Sequence, residues 1–151
     1  MDLSDLSDKF KLCYDSEGYK DTTVFPGVHR MLIKFLNKNF KLFIATNKRN
    51  IPTINIINFL NWDNFFDGIY AIDSFASTVS SKSEIISKII SYHCLDIDSV
   101  AYVGDLEADG MAAEICSVPF FMAGWGYSGN TISKYKSIDS PEHLYKAIGN
   151  L

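Results

Sequence analysis

Cysteine is sparse and scattered. Cys13, Cys94 and Cys116 form no C-x-x-C pair, and their number is odd. A disulfide framework and a zinc site are therefore not expected, and the three read as buried free thiols of a reducing compartment. Basic charge is also short: 14 Lys and Arg stand against 18 Asp and Glu, for a formal net charge of −4. Broad nucleic-acid binding needs clustered cations to displace counterions, so nucleic acid is not an expected partner. No run approaches the roughly 18 apolar residues of a membrane span. Met1 to Asp8 holds Asp2, Asp5 and Asp8 without a basic or apolar stretch, so it does not read as a secretory signal. The expected location is cytoplasmic, with no membrane partner.

What is present suits one globular domain. Of 151 residues, 47% are hydrophobic and 21% charged, enough apolar mass for a single core. The mild acidity is compatible with a site that holds Mg²⁺ through carboxylates.

From Pro26-Gly27 onward the pattern is regular. Val28, Met31, Leu32, Phe35 and Leu36 recur at helical spacing, ending at Asn37 to Asn39. Lys41 to Thr46 reads as a short buried strand, and a helix follows with Pro52 near its start. Gly68 to Ile72 is a second strand. Ser83 to Tyr92 is an amphipathic helix with Ile85, Ile86, Ile89 and Ile90 on one face. Ser99 to Val103, a helix over Ala108 to Cys116, a strand over Pro119 to Ala123 and a helix over Pro141 to Ile148 complete the chain. Asp2-Leu3-Ser4 and Asp5-Leu6-Ser7 at the start read as a capped helix. Strands alternating with helices predict an α/β fold with a parallel sheet, whose ligands bind at the carboxyl ends of the strands.

Three features sit at those ends. Gly104-Asp105-Leu106-Glu107-Ala108-Asp109 follows the third strand. Gly104 permits a tight turn, and Asp105 and Asp109 could share a hard cation such as Mg²⁺. Alone, they read equally as a helix cap and a solvated first-turn acid. Thr46-Asn47-Lys48 offers a hydroxyl and backbone amides entering a helix, either a phosphate cradle or a plain cap. Lys82, before a helix, could set an ammonium beside a phosphate or could be solvated surface.

Taken together and in order, Phe40 to Lys48, Lys82, and Gly104-Asp105 to Asp109 resemble motifs two, three and four of the haloacid dehalogenase-like hydrolase superfamily. The nearer likeness is to its phosphoglycolate phosphatase-like branch. Tyr14 through Val28, ending Thr22-Thr23-Val24-Phe25-Pro26-Gly27-Val28, resembles that branch's passage from a helical cap back into the core. Phe66-Asp67-Gly68-Ile69-Tyr70 resembles its second core strand, and Gly124-Trp125-Gly126-Tyr127 its W-G-Y segment. The likeness covers about residues 10 to 148. It implies a three-layer Rossmann-like core over 26–151, with 1–25 a remnant of the cap or linker. It also implies Mg²⁺-dependent hydrolysis of a small phosphorylated metabolite. Thr46 and Asn47 would bind the phosphoryl group, Lys82 would steady the charge during catalysis, Asp105 would bind Mg²⁺, and Asp109 would bind it directly or hold its water.

The D-x-D-G-T motif that carries the family's nucleophile is not visible. Asp15-Ser16-Glu17-Gly18 could be a degraded copy, but Lys9 and Lys11 make the preceding run a poor buried strand, and the tail-of-cap alignment accounts for it better. The resemblance implies that the strand bearing this motif belongs between the strands ending at Thr46 and Asp105. Its absence predicts one of three arrangements: those two strands pair directly, the N-terminal segment fills the space, or another polypeptide supplies the strand. The chain is thus expected to be a phosphatase-like hydrolase, incomplete and weakly active or inactive alone. Alternatives are a compact enzyme using Asp15 and a non-catalytic binding or oligomerisation module. A homodimer or a complementing N-terminal chain is the expected partner.

Trp125 and Tyr127 could line a pocket or pack. His29, His93 and His143 show no ligand spacing. Tyr135, Lys136 and Tyr145 read as surface or packing. Lys48 and Arg49 could attract an anion or simply solvate a helix start.

Overall fold

A computed structural model describes residues 17–126 and 132–149. The expected N-terminal helix, Cys13, Asp15 and Tyr127 lie outside the described residues. A 3₁₀ turn, Gly18–Asp21, leads through extended chain to Gly27, whose φ of 86° suits a residue without Cβ.

Helix α1, Val28–Asn37, follows, and its apolar stripe places Met31 and Phe35 against Leu144. It stops where Asn39 turns to φ 60°. Strand β1, Phe43–Thr46, precedes helix α2, Asn50–Phe59. Strand β2, Gly68–Ala71, pairs parallel to β1, with Phe43 opposite Gly68 and Thr46 opposite Ala71. Helix α3, Lys82–Tyr92, is capped by the Ser81 hydroxyl, which accepts from the Glu84 N–H. Strand β3, Tyr102–Gly104, leads into helix α4, Glu107–Ile115. Strands β4, Phe120–Ala123, and β5, Ser137–Ile138, then extend the layer before helix α5, Pro141–Gly149.

The third strand starts later than the sequence pattern predicts. Residues Ile97–Ser99 form a 3₁₀ turn instead, because the Asp96 carboxylate accepts the Asp98 N–H and holds a local turn there. The two-residue β5 was not predicted. Cys94 departs from the buried-thiol expectation. It ends α3 in the left-handed region at φ 50° with its side chain exposed, while Cys116 is half-buried and donates to the Ser83 carbonyl.

Helices cover both faces of the strand layer. On one face, α3 and α4 pack Ile85, Ile86, Ala112 and Ala113 onto Phe43, Ala45, Tyr70 and Tyr102. On the other, α1 and α5 pack onto Leu42, Phe121 and Ile138, and Trp125 packs there too. This is the three-layer Rossmann-like arrangement, with one interruption. The strands form two separate parallel sheets, β1-β2 and β3-β4-β5, and β1 does not pair with β3. Of the three arrangements expected around that position, direct pairing of the neighbours is not the one adopted among the described residues.

No helix among the described residues is long and apolar enough to cross a membrane.

Candidate active site

The site residues gather where β3 hands over to α4. Asp109 lies in the first turn of α4, and two donors converge on its carboxylate. Lys82 Nζ stands 3.1 Å from Oδ1, and the Leu106 N–H donates to Oδ2 at 3.2 Å. The Lys82 and Asp109 side chains are only 18% and 9% exposed, so neither is the solvated surface charge that its residue type suggests. In such a position a carboxylate is stable only because it is paired and hydrogen-bonded.

Chain geometry makes the approach possible. A Cβ on Gly104 would stand 2.6 Å from both Cβ and Oδ2 of Asp109, so only glycine lets the carboxylate fold back over the strand end. Gly126 does the same for Asp105: a Cβ there would meet Asp105 Cβ at 2.5 Å and Oδ2 at 2.8 Å. Gly126 therefore seats the loop after β4 directly on the first acid. Tyr102 shares its strand face with Gly104, which points its hydroxyl at the acids. Burial first, then the Asp109 and Asp105 charges, hold its proton well above the ordinary phenol range, so the hydroxyl remains a donor. Neither Tyr102 nor Gly126 was singled out as a site residue in the sequence. The parity of Tyr102 with Gly104 on one strand was the available signal.

Thr46 and Asn47 occupy the corresponding end of β1. The Thr46 Oγ1 accepts the Lys48 N–H at 3.0 Å, which leaves the hydroxyl proton to donate outward. The Asn50 N–H at the start of α2 is taken by Asp73 Oδ1 at 2.6 Å, so that amide does not serve an anion. No hydrogen bond joins Thr46 or Asn47 to Lys82 or the two aspartates among the described residues. The structure thus assembles Lys82, Asp105, Asp109 and Tyr102 in one group and keeps Thr46 and Asn47 on the β1 side of the break between the sheets.

The histidines play other parts. His29 accepts from Trp62 Nε1 at 2.8 Å, His93 shares a 2.7 Å hydrogen bond with the Tyr70 hydroxyl, and His143 pairs with Asp139 on the surface.

The sequence model of the haloacid dehalogenase-like hydrolases matches residues 3–123. The chain belongs to the haloacid dehalogenase-like hydrolase family. A curated family relative, a phosphoglycolate phosphatase from Aquifex aeolicus (strain VF5), is 27% identical over 130 residues, covering 85% of this chain. The chain spans 61% of that relative's length. Among solved structures, a predicted phosphatase from Clostridium acetobutylicum superposes with a TM-score of 0.83 at 23% identity, covering 96% of this chain and 68% of its own. A predicted phosphoglycolate phosphatase from Haemophilus somnus 129PT gives a TM-score of 0.83 at 19% identity, covering 97% and 68%. At these identities the two structures establish the shared fold.

Proposed function

We propose that this hydrolase-family chain carries the phosphate- and Mg²⁺-holding half of a phosphomonoesterase resembling phosphoglycolate phosphatase, with little or no turnover alone. The observation that carries the reading is the sequestered Lys82–Asp109 pair beside Asp105 at the carboxyl end of β3. An ammonium held by a fixed carboxylate at a strand's carboxyl end suits an incoming dianion. The fitting substrate class is a small phosphorylated metabolite.

The acids suit Mg²⁺ in a restricted sense. No cluster of three or more His, Cys, Asp or Glu exists among the described residues, so a protein-built cage is not the model. Mg²⁺ commonly uses one or two carboxylates and completes its shell with water and substrate phosphate. In that reading Asp105 is the direct ligand. Asp109, with Lys82 on one oxygen and Leu106 on the other, holds the loop and would accept from a water of the ion's shell. Bound Mg²⁺ would supply charge neutralisation at the phosphoryl oxygens. Lys82 would place its ammonium beside the phosphate, and the Thr46 hydroxyl and Asn47 amide would fix its orientation from the β1 side.

Calorimetric titration with Mg²⁺ and inorganic phosphate, beside hydrolysis of an aryl phosphate, tests this. The expected result is Mg²⁺ binding that Asp105→Asn abolishes, phosphate binding that Lys82→Met abolishes, and no turnover above the variants. Turnover lost in Asp15→Asn would instead make Asp15 the nucleophile and overturn the half-site reading. Gly126→Ala, which drives a methyl group into Asp105, is expected to weaken Mg²⁺ binding by about 10–100-fold. Its thermal unfolding should change far less than its metal affinity; unchanged Mg²⁺ affinity would remove Gly126 and Asp105 from the metal site.

A further inference from the structure

Helix α2 begins without a cap of its own. Its N-cap position holds Arg49, whose side chain makes no capping hydrogen bond. Ser, Thr, Asp and Asn are the residues that satisfy the orphan amides of a helix start. The acceptor here comes from elsewhere. Asp73 Oδ1, 23 positions along the chain, takes the Asn50 N–H at 2.6 Å. Asp73 is an exposed residue of the turn that follows β2.

That turn is itself locked. The Ser74 N–H donates to the Ala71 carbonyl at 3.1 Å, and the Ser74 hydroxyl accepts the Ala71 N–H at 2.8 Å. Ala71 is the last residue of β2 and stands opposite Thr46, the last residue of β1. The two strands therefore end level, and the turn that carries Asp73 lies beside the loop that carries Thr46 and Asn47.

The loop is short, with Asn47, Lys48 and Arg49 between the strand and the helix. Its course depends on what holds each end. At the strand end, Thr46 Oγ1 accepts the Lys48 N–H at 3.0 Å. At the helix end, the Arg49 carbonyl accepts the Thr53 N–H at 3.2 Å and the Thr53 hydroxyl at 2.7 Å. These bonds are internal to the segment and would move with it. The Asp73 bond differs, because it fastens the helix start to the turn of the neighbouring strand. Its acceptor is charged, which makes it one of the stronger hydrogen bonds available to a backbone amide.

We propose that Asp73 is a positioning residue for the phosphate subsite. It holds the loop between β1 and α2 so that the Thr46 hydroxyl and the Asn47 amide face the phosphoryl oxygens, and it does not touch the phosphate itself. Its carboxylate also fills the start of α2, where a free anion would otherwise be drawn, so the phosphate is left to the Thr46 side. The role rests on the phosphate reading of Thr46 and Asn47 given above.

Calorimetric titration of inorganic phosphate into the full chain in excess Mg²⁺ tests it, with the parent beside Asp73→Ala, Asp73→Asn and Ser140→Ala. Ser140 supplies a stability control, because its hydroxyl accepts the His143 N–H at the start of α5. Asp73→Ala and Ser140→Ala should each lower the melting temperature by about 2–4 °C. Asp73→Ala should also weaken phosphate binding by about tenfold, whereas Ser140→Ala should leave it unchanged. Asp73→Asn keeps an acceptor oxygen and should bind within about twofold of the parent. Amide hydrogen exchange adds a reading that needs no phosphate: the Asn50 N–H should be protected in the parent and lose that protection in Asp73→Ala. Equal exchange of Asn50 in both proteins overturns the positioning role. So does parent-like phosphate affinity in Asp73→Ala, affinity in Asp73→Asn as weak as in Asp73→Ala, or an equal loss in Ser140→Ala, and each of these leaves the phosphate reading standing. A parent that binds no phosphate overturns the phosphate reading and the positioning role with it.

Discussion

Asp109→Ala should lower the unfolding free energy by roughly 3 kcal/mol or more, because it strands a mostly buried ammonium and releases a helix-start amide in one step. The Lys82 side chain is 18% exposed and that of Asp109 9%. Removing one member of such a pair leaves an uncompensated charge in low dielectric, which costs more than the pair itself contributes. The Leu106 N–H, now held by Oδ2 at 3.2 Å, would lose its acceptor as well. Asp109→Asn keeps an oxygen for Leu106 and should lose less. Adding Lys82→Met to Asp109→Ala should recover much of the loss, since two apolar groups need no pairing. Urea unfolding of the parent, Asp109→Ala, Lys82→Met and the double variant gives the coupling directly. If Asp109→Ala costs under about 1 kcal/mol, the pair is solvated and the site is looser than its geometry implies.

Ile85→Ala should cost about 2–5 kcal/mol without touching the site's charges. Ile85 is 0% exposed and packs with Val79 and Ile89 against Phe43, Ala45, Tyr70 and Ile72, so it ties α3 to both strands of the β1-β2 sheet. For a domain of this size each 1 kcal/mol lowers the melting temperature by about 2–4 °C, so the shift is readily measured by thermal unfolding. Ile85→Val, which leaves a smaller void, should cost about 0.5–1.5 kcal/mol. A loss below about 1 kcal/mol for the alanine variant would mean that the neighbours collapse into the space and that α3 is less firmly seated. Because Lys82 begins the same helix, a loosened α3 should also weaken phosphate binding, whereas a purely local cavity would not.

The helices were legible in the sequence because each buries a stripe. Met31 and Phe35 in α1, and Ile85, Ile86 and Ile89 in α3, recur at the helical period and are the residues that face the core. Ile90, placed on the same stripe, proves only half-buried, at the stripe's edge. Strand starts were less legible, because a single acid such as Asp96 can redirect the backbone into a turn without altering the apolar pattern around it. The two-residue β5 has too few side chains to show any period.

The candidate site divides the same way. Local spacing determined that Asp105 and Asp109 flank a glycine turn at a strand end, that Thr46 ends another strand, and that Lys82 opens a helix. It also set the chain's acidity and the helical and strand periods that make an α/β layer. Spacing along the chain could not decide which of these charges meet. The contact of Lys82 with Asp109 spans 27 positions, and that of Gly126 with Asp105 brings together the ends of different strands. Tertiary packing of α3 beside α4 decided the first contact, and the return of the chain after β4 the second. The break between β1 and β3 was likewise a tertiary outcome, since strand neighbours are chosen by which backbone edges come within hydrogen-bonding reach, and no single strand's sequence encodes the identity of the strand beside it.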